Sequence, residues 1–325
     1  MIKFDIIDDN NEWNNQIISN DNFSPYQLFE WGEYKKEFGW SVLRLRINND
    51  GSICYVQILY KKKFFVFAGF VVGSISGDIS VFNKNNLIKF LKDSYNFKFI
   101  YLRTSFTNIS DFNESFNLYN GGWIKAKKKN NSDYTIYIDL DKKIDELIKN
   151  CSSNWRKNLI RGQKYNLDYS LKYLIDYNDI DIHKISMLFE RFKKIKDIKL
   201  PKSSDLKFFK KYLGNNIIVA TSSKNQEFIG LRAFIFLNNK AIDLWAVTDE
   251  EGRRNYTSYF LLFQLFNNAK EMGIKFYDMS GIDPIKNENV FLFKNGLRSN
   301  IVEKLGEWEI SNSKILSFLI NKLYI

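Results

Sequence analysis

Histidine and cysteine are almost missing from this chain. One histidine, His183, and two cysteines, Cys54 and Cys151, occur among 325 residues. This supply is too small for a zinc site with the usual ligands, and it disfavours a catalytic triad that needs histidine. The two cysteines lie far apart without a paired pattern, which is typical of a reducing compartment.

Long apolar runs and nucleotide-binding motifs are missing as well. The longest apolar run, residues 64–73, is shorter than the roughly 18 residues that a transmembrane helix needs, and the first residues do not resemble a signal peptide. We find neither a Gly-x-x-x-x-Gly-Lys loop nor a Gly-x-Gly-x-x-Gly fingerprint. We therefore expect a cytoplasmic protein, and we leave open peripheral contact with the inner face of the plasma membrane.

What the chain does contain is apolar residues and positive charge. Hydrophobic residues make up 45% and aromatic residues 17%, which is enough for a substantial core, and the length predicts about two domains. Only three prolines occur, and no flexible linker is visible. The net charge of +11 predicts an anionic partner, which leaves nucleic acid, a phosphorylated substrate and an acidic membrane open.

Two stretches of the chain echo each other at an offset of 175 residues. In each, an apolar helix precedes a strand, a loop and an aromatic turn that ends near a glycine. The matched positions are Asp278 with Arg103, Lys294 with Tyr119, Phe291 with Phe116, Asn295 with Asn120 and Gly296 with Gly121. Such an offset predicts an internal duplication. We place its two domains at residues 1–145 and 146–325.

Each half has the pattern of an α+β domain. Helical segments are followed by alternating strands joined by short turns such as Asn48–Gly51 and Asn238–Asn239, and then by a helix and another strand. This order resembles the GCN5-related N-acetyltransferase (GNAT) fold. The sequence therefore predicts two tandem GNAT-like domains, with mixed, mostly antiparallel sheets flanked by helices.

Five short motifs resemble the Fem-type transferases (FemA, FemB and FemX), whose twin domains have this fold. They are Gln27–Lys35 with Trp40, Ser153–Arg161, Asn255–Tyr259, Tyr277–Ile282 and Phe293–Lys294. The fourth is similar to the family's Asp-Leu-Gly-Gly-Ile turn and the fifth to its Phe-Lys pair. No segment is long enough for the helical hairpin of FemA and FemB, so the compact FemX plan is closer.

The resemblance implies an aminoacyltransferase. Such an enzyme moves an amino acid from aminoacyl-tRNA to an amine of a nucleotide- or lipid-linked peptidoglycan precursor, and it uses no metal or cofactor. It implies catalytic roles for Lys294 and Asp278. The implied substrate-binding residues are Lys35, Trp31, Tyr256, Lys199, Lys202 and Arg103. Contacts with tRNA phosphates are expected from Arg156, Lys157 and Arg161, and we expect a monomer or weak dimer.

Departures from the family's pattern keep two other functions open. Ser280 replaces a glycine of the turn, and Arg103 stands where FemX-like members carry an acid. Tyr256 takes a small-residue position of the usual pyrophosphate loop, which argues against ordinary coenzyme A binding because a bulky side chain blocks close approach of the backbone. The alternatives are an acyl-CoA-dependent N-acyltransferase for an amino sugar of a surface polysaccharide, and a non-catalytic module that binds RNA or an anionic membrane.

Overall fold

Long, mainly antiparallel strands alternate with helices along the chain. The computed structural model describes residues 2–19, 24–165, 167–194 and 200–323. The elements up to residue 134 are β1 (Lys3–Ile6), α1 (Asn10–Ile18), α2 (Phe29–Lys36), β2 (Ser41–Asn49), β3 (Ser52–Lys63), β4 (Val66–Val72), β5 (Ser76–Gly77), α3 (Lys84–Tyr95), β6 (Phe99–Ile109), α4 (Phe112–Asn120) and β7 (Ile124–Lys125).

The remaining elements follow in the same style. They are β8 (Tyr134–Asp139), α5 (Ile144–Asn150), α6 (Ser153–Lys164), β9 (Asp168–Tyr173), α7 (Asp179–Lys193), α8 (Ser203–Leu213), β10 (Ile217–Lys224), β11 (Glu227–Leu237), β12 (Lys240–Thr248), α9 (Glu250–Arg254), α10 (Thr257–Glu271), β13 (Phe276–Gly281), α11 (Glu288–Asn295), β14 (Asn300–Ser311) and α12 (Lys314–Leu323). None of the helices in the described ranges is long and apolar enough to cross a membrane.

Tight turns fix the register of the predicted hairpins. Asn49 pairs with Ser52, so Asp50 and Gly51 form a two-residue loop, and both have positive φ angles (50° and 98°). This is the geometry that suits the right-handed twist of the flanking strands. Leu237 likewise pairs with Lys240 across the predicted turn at residues 238–239. Both turn predictions are confirmed.

The chain divides into two units, each with its own mixed sheet. Unit 1 is Met1–Tyr134 with Val302–Ile325, and unit 2 is Thr135–Ile301. The strand order is β1-β2-β3-β4-β6-β14 in unit 1 and β8-β13-β12-β11-β10-β9 in unit 2. Along these two orders, only the pairs β4–β6 and β12–β13 are parallel. The predicted α+β class with mostly antiparallel sheets is confirmed.

The sequence echo corresponds to a helix–strand–helix arrangement that occurs in both units. Helix α3, strand β6 and helix α4 of unit 1 match α10, β13 and α11 of unit 2. The predicted aromatic turns are instead helices. In unit 1 the Asp111 side chain accepts the backbone N–H of Asn113 at 2.8 Å and so caps the start of α4, and Gly121 ends the helix. Gly296 ends α11 in the same way.

The two units differ from the domains predicted at 1–145 and 146–325. The reason is that β8 and β14 each pair with strands outside the predicted domain that contains them. Strand β8 follows unit 1 in the chain but pairs with β13 of unit 2. Strand β14 follows unit 2 but pairs with β6 of unit 1, with Trp308 opposite Thr104. Sequence periodicity identifies strands without identifying their partners, so a boundary drawn at the repeat misses the exchange.

Arg103 holds β6 and β14 together in the interior of unit 1. Its side chain is 2% exposed and its Nε donates to Glu307 Oε2 at 2.8 Å. The guanidinium also lies 3.6 Å from Glu309, whose carboxylate accepts the Tyr101 hydroxyl at 2.8 Å. The residue predicted to bind substrate therefore has the contacts of a buried ion pair within the sheet.

We predict that Arg103→Met lowers the free energy of unfolding of unit 1 by about 3–5 kcal/mol, because it leaves Glu307 buried without its cation. Urea unfolding combined with hydrogen exchange of the β6 and β14 amides measures this loss. Arg254→Met is the matched control, since that side chain is 74% exposed, and we expect it to be near neutral. A loss below 1 kcal/mol for Arg103→Met would contradict the structural role.

Candidate functional site

A sharp turn at the end of β13 forms the centre of the site. Ser280 has a φ of 61°, in the left-handed region. The Asp278 carboxylate accepts the backbone N–H of Ser280 at 2.7 Å and also the Thr135 hydroxyl. Asp278 is 2% exposed, so this carboxylate is positioned to fix the turn from inside unit 2.

Lys294 extends from α11 to the same turn. Its Nζ donates to the backbone oxygen of Gly281 at 2.9 Å and to that of Ser280 at 3.3 Å, and the residue is 7% exposed. Two carbonyl dipoles thus hold a cation at the carboxyl end of β13. Asp278 and Lys294, the two residues predicted to be catalytic, therefore both hold the same turn of unit 2.

The pairing of β12 with β13 ends beside this turn. Their parallel ladder covers three residue pairs, and it ends at Ile242 and Asp278. Beyond that point the Ser280 hydroxyl donates to the Asp243 backbone oxygen at 2.5 Å. The ladder therefore ends beside the turn that Lys294 contacts.

A buried ion pair joins the neighbouring strands β11 and β12. Arg232 Nη2 lies 3.0 and 2.8 Å from the two carboxylate oxygens of Asp243. Arg232 Nη1 donates to the Ser258 hydroxyl at 3.0 Å, and Asp243 accepts the Tyr277 hydroxyl at 3.2 Å. Burial, followed by the charge of Asp243, raises the pKa of Tyr277 well above its ordinary value, so this phenol stays protonated as a donor.

Aromatic rings link Lys294 to the start of α10. The ring of Phe293 lies 4.8 Å from Tyr259 and 6.2 Å from Trp155 between centroids. The Arg232 guanidinium lies 5.3 Å from the Phe293 ring, within cation–π range. Arg232, which joins β11 to β12 through Asp243, therefore also contacts Phe293, the residue before Lys294.

Tyr256 and Arg161 form the outer end of this cluster. Tyr256 stands just before α10 with a φ of 55°, and its hydroxyl accepts a hydrogen bond from Arg161 Nη1 at 3.0 Å. The guanidinium also lies 5.3 Å from the tyrosine ring. Gly162 makes this approach possible, because a Cβ there would lie 3.0 Å from the Tyr256 backbone oxygen. The structure thus places a cation at the N-terminus of a helix, where anions bind readily.

The basic residues predicted on one face of α6 make different contacts. Arg156 donates to the backbone oxygens of Lys149 and Cys151, each at 2.6 Å, and so caps the end of α5. Lys157 is exposed, and Arg161 joins the cluster described above.

Burial, the largest cause, raises the pKa of the Cys151 thiol to about 11, so this cysteine stays protonated at neutral pH.

The other predicted substrate-binding residues lie elsewhere. In unit 1 the Lys35 ammonium lies 4.7 Å from the centre of the Trp31 ring and 5.1 Å from that of Tyr34, which gives a cation on an aromatic platform. Lys202 is exposed at the start of α8, where Asp205 accepts its backbone N–H at 3.0 Å. Lys199 lies outside the described residues.

Sequence reasoning missed Arg232 and Asp243, although a signal for them exists. Each is a single charge inside an apolar strand, at Leu231-Arg232-Ala233 and Ile242-Asp243-Leu244. Charged residues are almost never fully buried unless they are paired, so two such strands in succession indicate a buried ion pair. No group of three or more His, Cys, Asp and Glu side chains in the described ranges is arranged to hold a metal ion.

Comparisons with known proteins agree with this geometry. Residues 199–324 match the model of the FemAB family. No curated protein matches the sequence significantly. Among solved structures, FemX is similar over 98% of this chain and 99% of its own, with a TM-score of 0.82 and 16% identity.

Two further structures share the architecture. A conserved protein of unknown function from Bacteroides thetaiotaomicron is 11% identical, with a TM-score of 0.63 and coverage of 96% of this chain and 99% of its own. A tandem GNAT protein from the clavulanic acid biosynthesis pathway is 9% identical, with a TM-score of 0.60 and coverage of 96% and 99%. The predicted resemblance is therefore confirmed: residues 199–324 match the FemAB family model, and the fold is similar to those of FemX and the tandem GNAT protein.

Proposed function

We propose that this protein is an acyltransferase that moves an amino acid from aminoacyl-tRNA to an amine of a peptidoglycan precursor. The observation that carries the proposal is the Lys294 ammonium, fixed by the backbone oxygens of Ser280 and Gly281 just beyond the end of the β12–β13 pairing. The FemAB family match over residues 199–324 includes all of these groups.

The reaction needs little help from acid–base catalysis. The acceptor amine attacks the ester carbonyl carbon, a C–N bond forms, and the bond from that carbon to the ribose oxygen breaks. The amine loses one proton and the departing ribose oxygen gains one, so no external acid or base is consumed. The barrier is lowered mainly by alignment and by stabilising the negative charge on the carbonyl oxygen, the role we give to Lys294.

The surrounding groups support a donor with phosphates. Arg161 stands at the N-terminus of α10, and the helix dipole adds to its attraction for an anion. The acceptor's phosphates are assigned to Lys35 in unit 1, a point charge on the Trp31 and Tyr34 rings. Asp278 is a positioning residue, since its carboxylate is buried and fixes the turn.

The first test supplies donors and acceptors directly. Purified protein is incubated with a set of charged tRNAs and with nucleotide- and lipid-linked muropeptide precursors, and products are analysed by mass spectrometry. We expect a mass increase of one amino-acid residue with at least one charged tRNA. Product from acyl-CoA and an amino sugar, with none from any charged tRNA, would replace this proposal with a CoA-dependent N-acyltransferase.

We predict that Lys294→Met lowers kcat by about 10²–10³-fold, as expected when one group that stabilises the transition-state charge is removed. Single-turnover rates with saturating charged tRNA measure this loss. Lys286→Met is the matched control, because Lys286 is exposed in the same segment, and it should retain activity. Near-normal turnover in a folded Lys294→Met protein would exclude the role.

We predict that Arg161→Met weakens binding of charged tRNA and reduces the slope of log affinity against log salt concentration by about 1, because one phosphate contact is lost. Filter binding at several salt concentrations gives both quantities. Lys275 is an exposed lysine directly before the first residue of β13. The control Lys275→Met should leave the slope unchanged. An unchanged slope for Arg161→Met would remove Arg161 from the tRNA site.

A further inference from the structure

The last helix presents apolar side chains to solvent. In α12, Ile315 is 74% exposed, Phe318 65% and Leu319 45%. Ile124 of β7, in the same unit, is 55% exposed. Isolated exposed apolar residues are common, but three on two adjacent turns of one helix form a patch that calls for a partner.

A groove of about 620 Å³ borders α12, and its lining lies entirely within unit 1. Its apolar wall consists of Ile124, Ile310 and Phe318. The polar lining is dominated by five lysines: Lys84, Lys127, Lys128, Lys314 and Lys322. Phe318 is common to the groove and the exposed patch, so the apolar and basic surfaces are continuous.

These lysine charges are not neutralised by neighbours. In the described part of the chain, no salt bridge joins Lys84, Lys127, Lys314 or Lys322 to a carboxylate. Glu309 is the one acid in the described lining of the groove, and it is committed to Tyr101, Arg103 and Asn321. The groove therefore carries a strong positive potential beside an apolar surface.

We propose that α12 and this lysine groove dock unit 1 onto an anionic phospholipid bilayer. An amphipathic helix buries its apolar face at the level of the headgroups, while lysines beside it contact the lipid phosphates. A soluble phosphate would satisfy the lysines but would leave Ile315 and Leu319 in water. The bilayer accounts for both parts of the surface, and the inference does not depend on the proposed reaction.

The test measures partition of the full chain between buffer and vesicles. We use flotation with vesicles of phosphatidylcholine alone and with 30% phosphatidylglycerol. We expect at least tenfold stronger partition onto the anionic vesicles, and a decrease as salt rises from 50 to 500 mM because the charges are screened. Each groove lysine contributes about fivefold, so Lys127→Gln/Lys314→Gln should lower the partition about 25-fold.

Matched variants separate this site from the general attraction of a basic protein. Lys89→Gln/Lys207→Gln removes the same charge from exposed positions outside the groove and should have little effect. Phe318→Ser should lower the partition at least fivefold, whereas Phe112→Ser, at a residue 80% exposed on α4, should not. These side chains are exposed, so an unchanged Tm confirms that each variant is folded.

Four results would overturn the proposal. Equal partition onto neutral vesicles, or equal loss in the groove and control lysine variants, would mean that the groove does not recognise anionic lipid. A dimer that Phe318→Ser abolishes, without vesicle binding, would assign the patch to a second copy of the chain. RNA binding that the groove lysine variant alone abolishes, again without vesicle binding, would assign the groove to RNA.

Discussion

The ion pair between Arg232 and Asp243 is the interaction on which the organisation of unit 2 depends. Both side chains are buried in neighbouring strands, and their remaining hydrogen bonds reach Ser258 and Tyr277. Removing either partner would leave a charge in the protein interior, which is strongly destabilising, so the strands and α10 are tied to one arrangement. The backbone oxygen of Asp243 extends this tie to Ser280.

This rigidity is what the proposed acyl transfer needs in a chain with one histidine. Lys294 is set by backbone oxygens of a turn, the turn is set by Asp278, and Phe293 lies against Arg232. The cation therefore needs little rearrangement when negative charge develops near it, which is the condition for efficient electrostatic stabilisation. In the proposed reaction, the fixed position of Lys294 replaces the proton transfer that a titrating side chain provides in many hydrolases.

Much of the fold could be predicted because its signals are local. Alternation and two-residue turns identify the meander strands, and the helical period identifies α10. Lys294 and Asp278 hold the same turn because a short loop and a helix bring them together within 16 residues of chain. Arg103 could not be understood in this way, since its partner Glu307 lies 204 residues away. The cap that Arg156 gives to α5 could not be predicted either, because a basic helix face and a helix cap look alike in a sequence.

The exchange of β8 and β14 has a consequence for synthesis of the chain. Unit 1 cannot complete its sheet until the ribosome has produced residues near 311, so β6 waits with an unpaired edge while all of unit 2 emerges. Pairings over such separations form slowly, and an open strand edge invites association with other chains. Unit 2 needs nothing beyond its own continuous segment, so it can fold before unit 1 although unit 1 begins first in the chain.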